Sequence, residues 1–242
     1  MKRRLRKQKY SPALPSIVLT NTRSIRPKYP NMNFPELSAL CKSMTEFRDA
    51  CMMCISETWF CDKISDDSVH IDGFHLYRTD RDSQVCNKGL GGGVCLYVNE
   101  RWCNAASVTV RKRINTPDLD LLSVSLRPFY LPREFGQIFM TVIYKHGNSA
   151  SATETISDVI RELQLISPDA PNFIAGDFNR CSLKTHLPKF SEYVSIATRK
   201  NVTLDQMYGN IPNAFKAYSL LAVGRSDHDS VHLACSSIQA KN

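Results

Sequence analysis

Seven short runs of β-branched and apolar residues recur along the chain, at 16–20 (SIVLT), 51–56 (CMMCIS), 93–98 (GVCLYV), 119–126 (LDLLSVSL), 137–144 (QIFMTVIY), 171–176 (PNFIAG) and 231–235 (VHLAC). Each has the length and composition of a buried strand. Only two segments have helical periodicity. One opens at Asn33 and aligns Leu37, Leu40, Cys41, Met44 and Phe47 on one face. The other runs from about Ser151 to Ile166, with Ser151-x-x-Glu154 as a capping box and Ile156, Val159, Ile160, Leu163 and Ile166 as its apolar stripe. Strands outnumber helices, and hairpin-like stretches mix with strand–helix–strand units. That pattern predicts a mixed α/β domain in which helices cover stacked sheets.

With 242 residues, 43% of them hydrophobic, the chain can bury a sizeable core. No internal repeat or low-complexity linker divides it, so one domain is expected over 16–236, after an arm at 1–15 and before a tail at 237–242. No apolar run reaches the ~20 residues that span a bilayer, and the N-terminus lacks the apolar stretch of a secretory signal. The net charge of +8 is uneven: residues 2–9 (KRRLRKQK) hold six basic groups and no acid. Such an arm can bind nucleic acid, act as a nuclear-import signal, or be a solvated tail. A mitochondrial presequence fits poorly, because Leu5 and Leu14 alone make little apolar face. Nine scattered cysteines form no disulfide framework, and Cys51-x-x-Cys54 has no second pair at zinc-site spacing. Buried thiols in a reducing compartment, nuclear or cytoplasmic, are the better reading.

Polar residues stand where the apolar runs end. Asn21 follows SIVLT, Glu57 follows CMMCIS, Tyr144 closes IFMTVIY, Asp177 and Asn179 follow NFIAG, and Asp227 and His228 precede VHLAC. Singly, each suits a turn or a helix cap. Together they are what a site needs, polar groups on rigid elements at the rim of a core. Residues 89–94 lack a complete G-x-G-x-x-G, since Val94 takes the third glycine position, so the glycines there read as a turn.

The ordered set N-x-R-S (Asn21 to Ser24), I-S-E-T-W (Ile55 to Trp59), G-D-F-N (Gly176 to Asn179), T-L-D (Thr203 to Asp205) and S-D-H (Ser226 to His228) resembles the endonuclease/exonuclease/phosphatase superfamily. The intervening text, including GGGVCLYVNERW and LRPFYLPREF, is similar to the apurinic/apyrimidinic-type endonuclease domain of non-LTR (LINE-type) retrotransposons. The resemblance covers residues 17–235. It implies a four-layer sandwich of two packed mixed β-sheets flanked by helices, with the site at one rim. It further implies a monomeric hydrolase that nicks one strand of double-stranded DNA using Mg²⁺, with Mn²⁺ as a substitute.

By the same resemblance, Glu57 is the main metal ligand, with Asn21 as a direct or water-mediated metal contact and Asp227 assisting the metal or the water. Asp177 orients or deprotonates the attacking water, Asn179 holds it or a phosphate oxygen, and Tyr144 reaches the phosphate. His228 donates to the phosphate, with Asp205 fixing its ring. Arg3, Arg4, Arg6 and Lys7 of the arm are expected to contact DNA.

One departure concerns the segment after Tyr144, where the family has a Pro-containing loop and this chain has Lys145-His146-Gly147. The substitution predicts a looser loop and a less firmly aimed tyrosine. The chain also ends at Asn242 without a reverse transcriptase, so it reads as an excised domain, a decayed copy or a host-retained fragment. The rival readings are a phosphatase or deadenylase of the same superfamily, and a catalytically dead relic that only binds nucleic acid. Deleting residues 2–9 is expected to flatten the dependence of log affinity for duplex DNA on log salt, by about 0.9 for each phosphate that the arm neutralises. An unchanged slope would leave the arm an import signal or a solvated tail.

Overall fold

The computed structural model describes residues 14–26, 33–81, 91–147 and 149–236. Two six-stranded sheets make up most of it. Sheet I contains β1 (Ile17–Asn21), β2 (Met52–Ser56), β3 (Phe74–Thr79), β4 (Val94–Asn99), β11 (Phe215–Leu220) and β12 (Ser230–Cys235), in the order β11-β12-β1-β2-β4-β3. Sheet II contains β5 (Val108–Asn115), β6 (Leu119–Leu126), β7 (Ile138–Lys145), β8 (Asn172–Asp177), β9 (Ser191–Glu192) and β10 (Asp205–Gly209), in the order β5-β6-β7-β8-β10-β9. Both sheets are mixed: β1 runs parallel to β2 and β7 parallel to β8, and the other pairs are antiparallel.

The seven apolar runs became β1, β2, β4, β6, β7, β8 and β12, each within about one residue of its expected bounds. β1, β2, β4, β6, β8 and β10 are buried at every residue, which is why most of them read as continuous apolar runs. Of the five strands that the sequence did not mark, β3, β5, β9 and β11 are sheet edges with many partly exposed side chains, whereas β10 is interior and fully buried but carries Asp205 and Gln206 at its start, which interrupt an apolar run.

The sheets pack face to face through alternate side chains, among them Ile17 and Leu19 of β1, Met52 and Cys54 of β2, Leu122 and Val124 of β6, Met140 and Val142 of β7, and Phe173 and Ala175 of β8. The other face of sheet I is covered by helices α1 (Asn33–Ser43) and α2 (Thr45–Arg48), through Leu37, Cys41 and Phe47. The other face of sheet II is covered by α3 (Ala150–Ile166), through Ile156, Val159, Ile160 and Leu163. The result is the four-layer sandwich that the resemblance implied.

Two local expectations are corrected. The periodicity from Asn33 to Phe47 is broken at Met44, whose extended backbone (φ −98°, ψ 126°) separates α1 from α2. The second long helix starts at Ala150, and its cap is Ser149, which accepts from the Ala152 N–H, while Ser151 and Glu154 are exposed. In addition, Leu14, assigned to the arm, is buried in the inter-sheet core, so the packed chain begins before residue 16. Arg3, Arg4, Arg6 and Lys7 lie outside the described residues. Cys54 and Cys95 are fully buried and Cys51 and Cys235 partly so; burial raises all four thiols, consistent with inert core cysteines.

Gly176 shows how tightly the two parallel strands of sheet II approach. A Cβ built there would lie 1.9 Å from the Ile143 carbonyl oxygen, and its φ of +149° is one that side chains rarely adopt. The glycine of G-D-F-N is thus a packing requirement that sets Asp177 at the strand end.

Candidate active site

Sheet register places four polar residues in one row. Asp120 of β6 pairs with Tyr144 of β7, Tyr144 with Asp177 of β8, and Asp177 with Asp205 of β10. Successive residues of a strand face opposite sides, so cross-strand partners share a face. These four follow the alternation of Leu122, Val142, Ala175 and Met207, and therefore face the opposite sheet. From sheet I, Asn21 continues the inward alternation of Ile17 and Leu19 to the same rim, and Glu57 follows the last residue of β2.

Asn21 joins the two sheets. Its Nδ2 donates to Glu57 Oε1 at 3.0 Å and to Asp177 Oδ2 at 2.9 Å, while its Oδ1 accepts from the Arg23 N–H at 3.1 Å. Asn21 therefore presents its N–H groups to the two carboxylates and holds them. Glu57 is also held by Trp59, whose Nε1 donates to Oε2 at 3.2 Å. Burial, then the charges of Glu57 and Asp177, raises the Tyr144 phenol well above its ordinary range, so it remains a donor.

Asp177 accepts a second bond at Oδ1, from the Asn179 N–H at 2.8 Å, and Asn179 Nδ2 donates to the Lys145 carbonyl at 2.6 Å. Burial, and after it the neighbouring Asp205, raise the Asp177 carboxyl from 3.8 to about 7. His228 Nδ1 lies 2.7 Å from Asp205 Oδ2, which leaves Nε2 for a substrate. Burial works to lower the His228 pKa, but the bond to Asp205 and the charges of Asp205, Asp177 and Asp227 outweigh it, and the net shift is upward. The expected pairing of Asp205 with the imidazole is present.

Asp227 is placed differently from the expectation. Arg23 Nη1 lies 3.1 Å from Oδ1 and Arg199 Nε lies 2.7 Å from Oδ2, so both oxygens are engaged by guanidinium groups. It holds these two arginines at the rim and is not part of the buried carboxylate set. In the segment after Tyr144, Lys145 is fully buried, with Nζ donating to the Gly147 carbonyl at 2.7 Å, and the His146 ring packs edge-on against Tyr144.

Several residues outside the predicted set support the site. Thr198 Oγ1 accepts from the N–H groups of Leu204 and Asp205, and its carbonyl accepts from Asp229, so it ties T-L-D to S-D-H. Ser226 Oγ donates to the Asn21 carbonyl at 2.6 Å and accepts from the His228 N–H. Thr198 belongs to no motif and nothing in the sequence marked it. Ser226 was visible as a motif residue without a role. Arg23, Ser24, Glu57, Trp59, Asn179 and Arg180 all have positive φ, each a left-handed backbone that costs on the order of 1 kcal/mol.

The donor set fits a hard divalent cation. Among the described residues no lysine or arginine pairs with Glu57, Asp177 or Asp205, and Asp205 Oδ1 is buried without a hydrogen-bond partner. Ligand atoms of Asp177, Asp205 and His228 lie within 4.8 Å of one another. Buried carboxylates without a counter-charge are costly, and Mg²⁺ favours such oxygens together with water and phosphate.

No known protein-family profile matches this chain, and no curated protein sequence does. Its backbone is similar to solved structures over nearly its whole length. One is the endonuclease domain of TRAS1, a telomere-specific non-LTR retrotransposon, at 13% identity and a TM-score of 0.61, covering 93% of this chain and 98% of that one. Another is the AP endonuclease LMAP from Leishmania major, at 10% identity and a TM-score of 0.71, covering 90% and 86%. A third is an endonuclease/exonuclease/phosphatase family protein from Leptotrichia buccalis, at 12% identity and a TM-score of 0.64, covering 92% and 100%. At these identities the likeness is one of fold.

The carboxyl of Asp177 sets the sign of one prediction. With its pKa raised from 3.8 to about 7 on folding, its contribution to stability is complete below about pH 4 and is lost as pH rises through about 7. The raised His228 acts in the same direction. The metal-free protein should therefore melt at a lower temperature at pH 8 than at pH 5.5. Mg²⁺ should raise the melting temperature more at pH 8, where Asp177 is ionised, and Asp177→Asn should flatten this difference. Equal stabilisation by Mg²⁺ at both pH values would contradict the assignment.

Proposed function

We propose that this chain, whose fold is that of the endonuclease/exonuclease/phosphatase superfamily, is a Mg²⁺-dependent endonuclease that nicks double-stranded DNA, of the non-LTR retrotransposon type. The observation that carries the reading is the group of carboxylates without a lysine or arginine partner among the described residues, Glu57, Asp177 and Asp205, gathered at one rim beside a histidine already oriented by one of them. DNA as the substrate is supported by the retrotransposon-like motifs and by the basic segment at 2–9. Among the described residues no helix is long and apolar enough to cross a membrane. The free cysteines favour a reducing compartment, nuclear or cytoplasmic.

In this reading Asp177 accepts a proton from a water held between its carboxylate and Asn179, as the water oxygen bonds to phosphorus and one P–O ester bond breaks, the leaving oxygen taking a proton from solvent to become the free hydroxyl of the nicked strand. His228 donates from Nε2 to a non-bridging oxygen, where negative charge builds, and Asp205 keeps its ring in place and favours the charged form. The Tyr144 hydroxyl is a second donor on the same side. Mg²⁺, held by Glu57 with Asp177 and Asp205, would supply Lewis-acid polarisation of the phosphate and neutralise its charge.

A plasmid-nicking assay beside a gel-shift assay tests this. Supercoiled DNA should convert to open circles with Mg²⁺ and remain intact with EDTA. Asp177→Asn should lower the single-turnover rate by ~10²–10⁴ and His228→Ala by ~10²–10³, with little loss of DNA binding. Asp205→Asn should lower the imidazole pKa, so its activity should fall more steeply as pH rises through neutrality. The double variant of Asp205 and His228 should lose less than the product of the single losses, since both act through one ring. DNA binding without cleavage would instead mark a binding relic, and hydrolysis of poly(A) or inositol phosphates without nicking would mark a different member of the superfamily.

A further inference from the structure

At the end of the row that contains Tyr144, Asp177 and Asp205 stands a fully buried carboxylate that the proposed chemistry does not use. Asp120 Oδ2 accepts from the Gly93 N–H at 2.9 Å and lies 3.0 Å from His146 Nε2, and its Oδ1 accepts from Asn115 Nδ2. Room for it is made by Gly92, where a Cβ would lie 2.5 Å from Asp120 Oδ2 and 2.7 Å from Arg81 Cδ, at a φ of +73°. The glycines before β4 therefore do more than turn the chain: they admit a buried acid to a backbone amide.

We propose that Asp120 and His146, with Arg81 against the ring, form a positioning unit that aims Tyr144 and steadies the backbone that holds Asn179. The proposal rests on the reading of this rim as a phosphodiesterase site. The His146 ring sits with its centroid 4.4 Å from that of Tyr144, at an interplanar angle of 83°, so one side of the phenol is closed by an edge-on contact. Arg81, nine-tenths buried, places Nη1 at 2.8 Å from Nε2 and 3.0 Å from Nδ1 of the same ring.

Between Tyr144 and His146 in sequence, the fully buried Lys145 closes the turn by donating to the Gly147 carbonyl, and its own carbonyl accepts from Asn179 Nδ2 at 2.6 Å. Holding His146 thus fixes a phenol on one side and a carbonyl partner of Asn179 on the other. A buried carboxylate bonded to an amide N–H, an asparagine and a histidine is a rigid anchor, because releasing any donor leaves charge unsolvated. Neither Asp120 nor His146 bonds to Glu57, Asp177 or His228 among the described hydrogen bonds, so both act through Tyr144 and Asn179. The unit supplies with side chains the restraint that a proline would give the loop through its fixed φ.

The test uses the full chain with ζ-¹³C-labelled tyrosine, the Tyr144 resonance being assigned by its loss in Tyr144→Phe. His146→Ala should shift or broaden that resonance, and His146→Gln, whose amide can still donate to Asp120, should restore it. In single-turnover nicking, His146→Ala should lower the rate about 10–100-fold, the scale set by a small misplacement of a reacting group, with DNA affinity nearly unchanged. In a Tyr144→Phe background the same substitution should cost much less. Should His146→Ala not fold, His146→Leu, which keeps bulk without the ring or its donor, takes its place. An unmoved Tyr144 resonance overturns the proposal, as does an equal loss of rate with and without the Tyr144 hydroxyl. A responsive resonance in a wild-type protein that nicks no DNA would sink the proposed function and leave the positioning unit standing.

Discussion

On the central strands, the side chains that face the opposite sheet are apolar up to one end of the sandwich, and at that end they turn polar. Ile17 and Leu19 lead to Asn21, Met140 and Val142 to Tyr144, Phe173 and Ala175 to Asp177, and Met207 is preceded by Asp205. Period-two alternation fixes which face each of these occupies, and register fixes that Asp120, Tyr144, Asp177 and Asp205 lie side by side. A one-residue slip in any of these strands would turn its polar residue away from the others and an apolar face towards helix or solvent. The large shared core holds the register, and the register assembles the site.

That assembly has an energetic cost. Asp120, Asp177 and Asp205 are buried, and a carboxylate in such surroundings destabilises the fold unless donors or an opposite charge face it. The donors are distributed according to position. Asp120 is satisfied by Gly93, Asn115 and His146, and is an anchor. Asp177 has two donors and a carboxyl raised to about 7, and Asp205 keeps one oxygen without a partner. Unsatisfied charge is concentrated where a cation and a phosphate would meet it. The left-handed backbone at Glu57, Trp59, Asn179 and Arg180 adds strain at the same rim, held in place by the rigid sheets behind it.

Much of this architecture was legible in the sequence, because buried strands with two covered faces read as uninterrupted apolar runs and their polar ends stand out. The edge strands were not legible: Val108–Asn115 carries arginines and a lysine on a half-exposed surface, and its alternation is masked by charge. The site residues that lie at strand ends were identified by motif, while Thr198 was not, since a threonine that caps two backbone amides leaves no local signature. Asp227 stands in a motif, but the arginines that engage its two oxygens, Arg23 and Arg199, are distant from it in sequence and could not be read there. For Lys145-His146-Gly147 the sequence shows the missing proline, whereas the partners Asp120 and Arg81 of His146 come from distant segments and are visible only in the structure.

The central claim is that the polar rim is a divalent-cation site whose ligands come from both sheets. Crystals of the protein soaked in Mn²⁺ and measured at the manganese absorption edge give the most direct test. A single anomalous peak within bonding distance of a Glu57 carboxylate oxygen, and on the Asp177 and Asp205 side of Asn21, is the predicted result. No peak at the rim under saturating Mn²⁺, or a peak confined to Asp227 and the exposed acids, would contradict it.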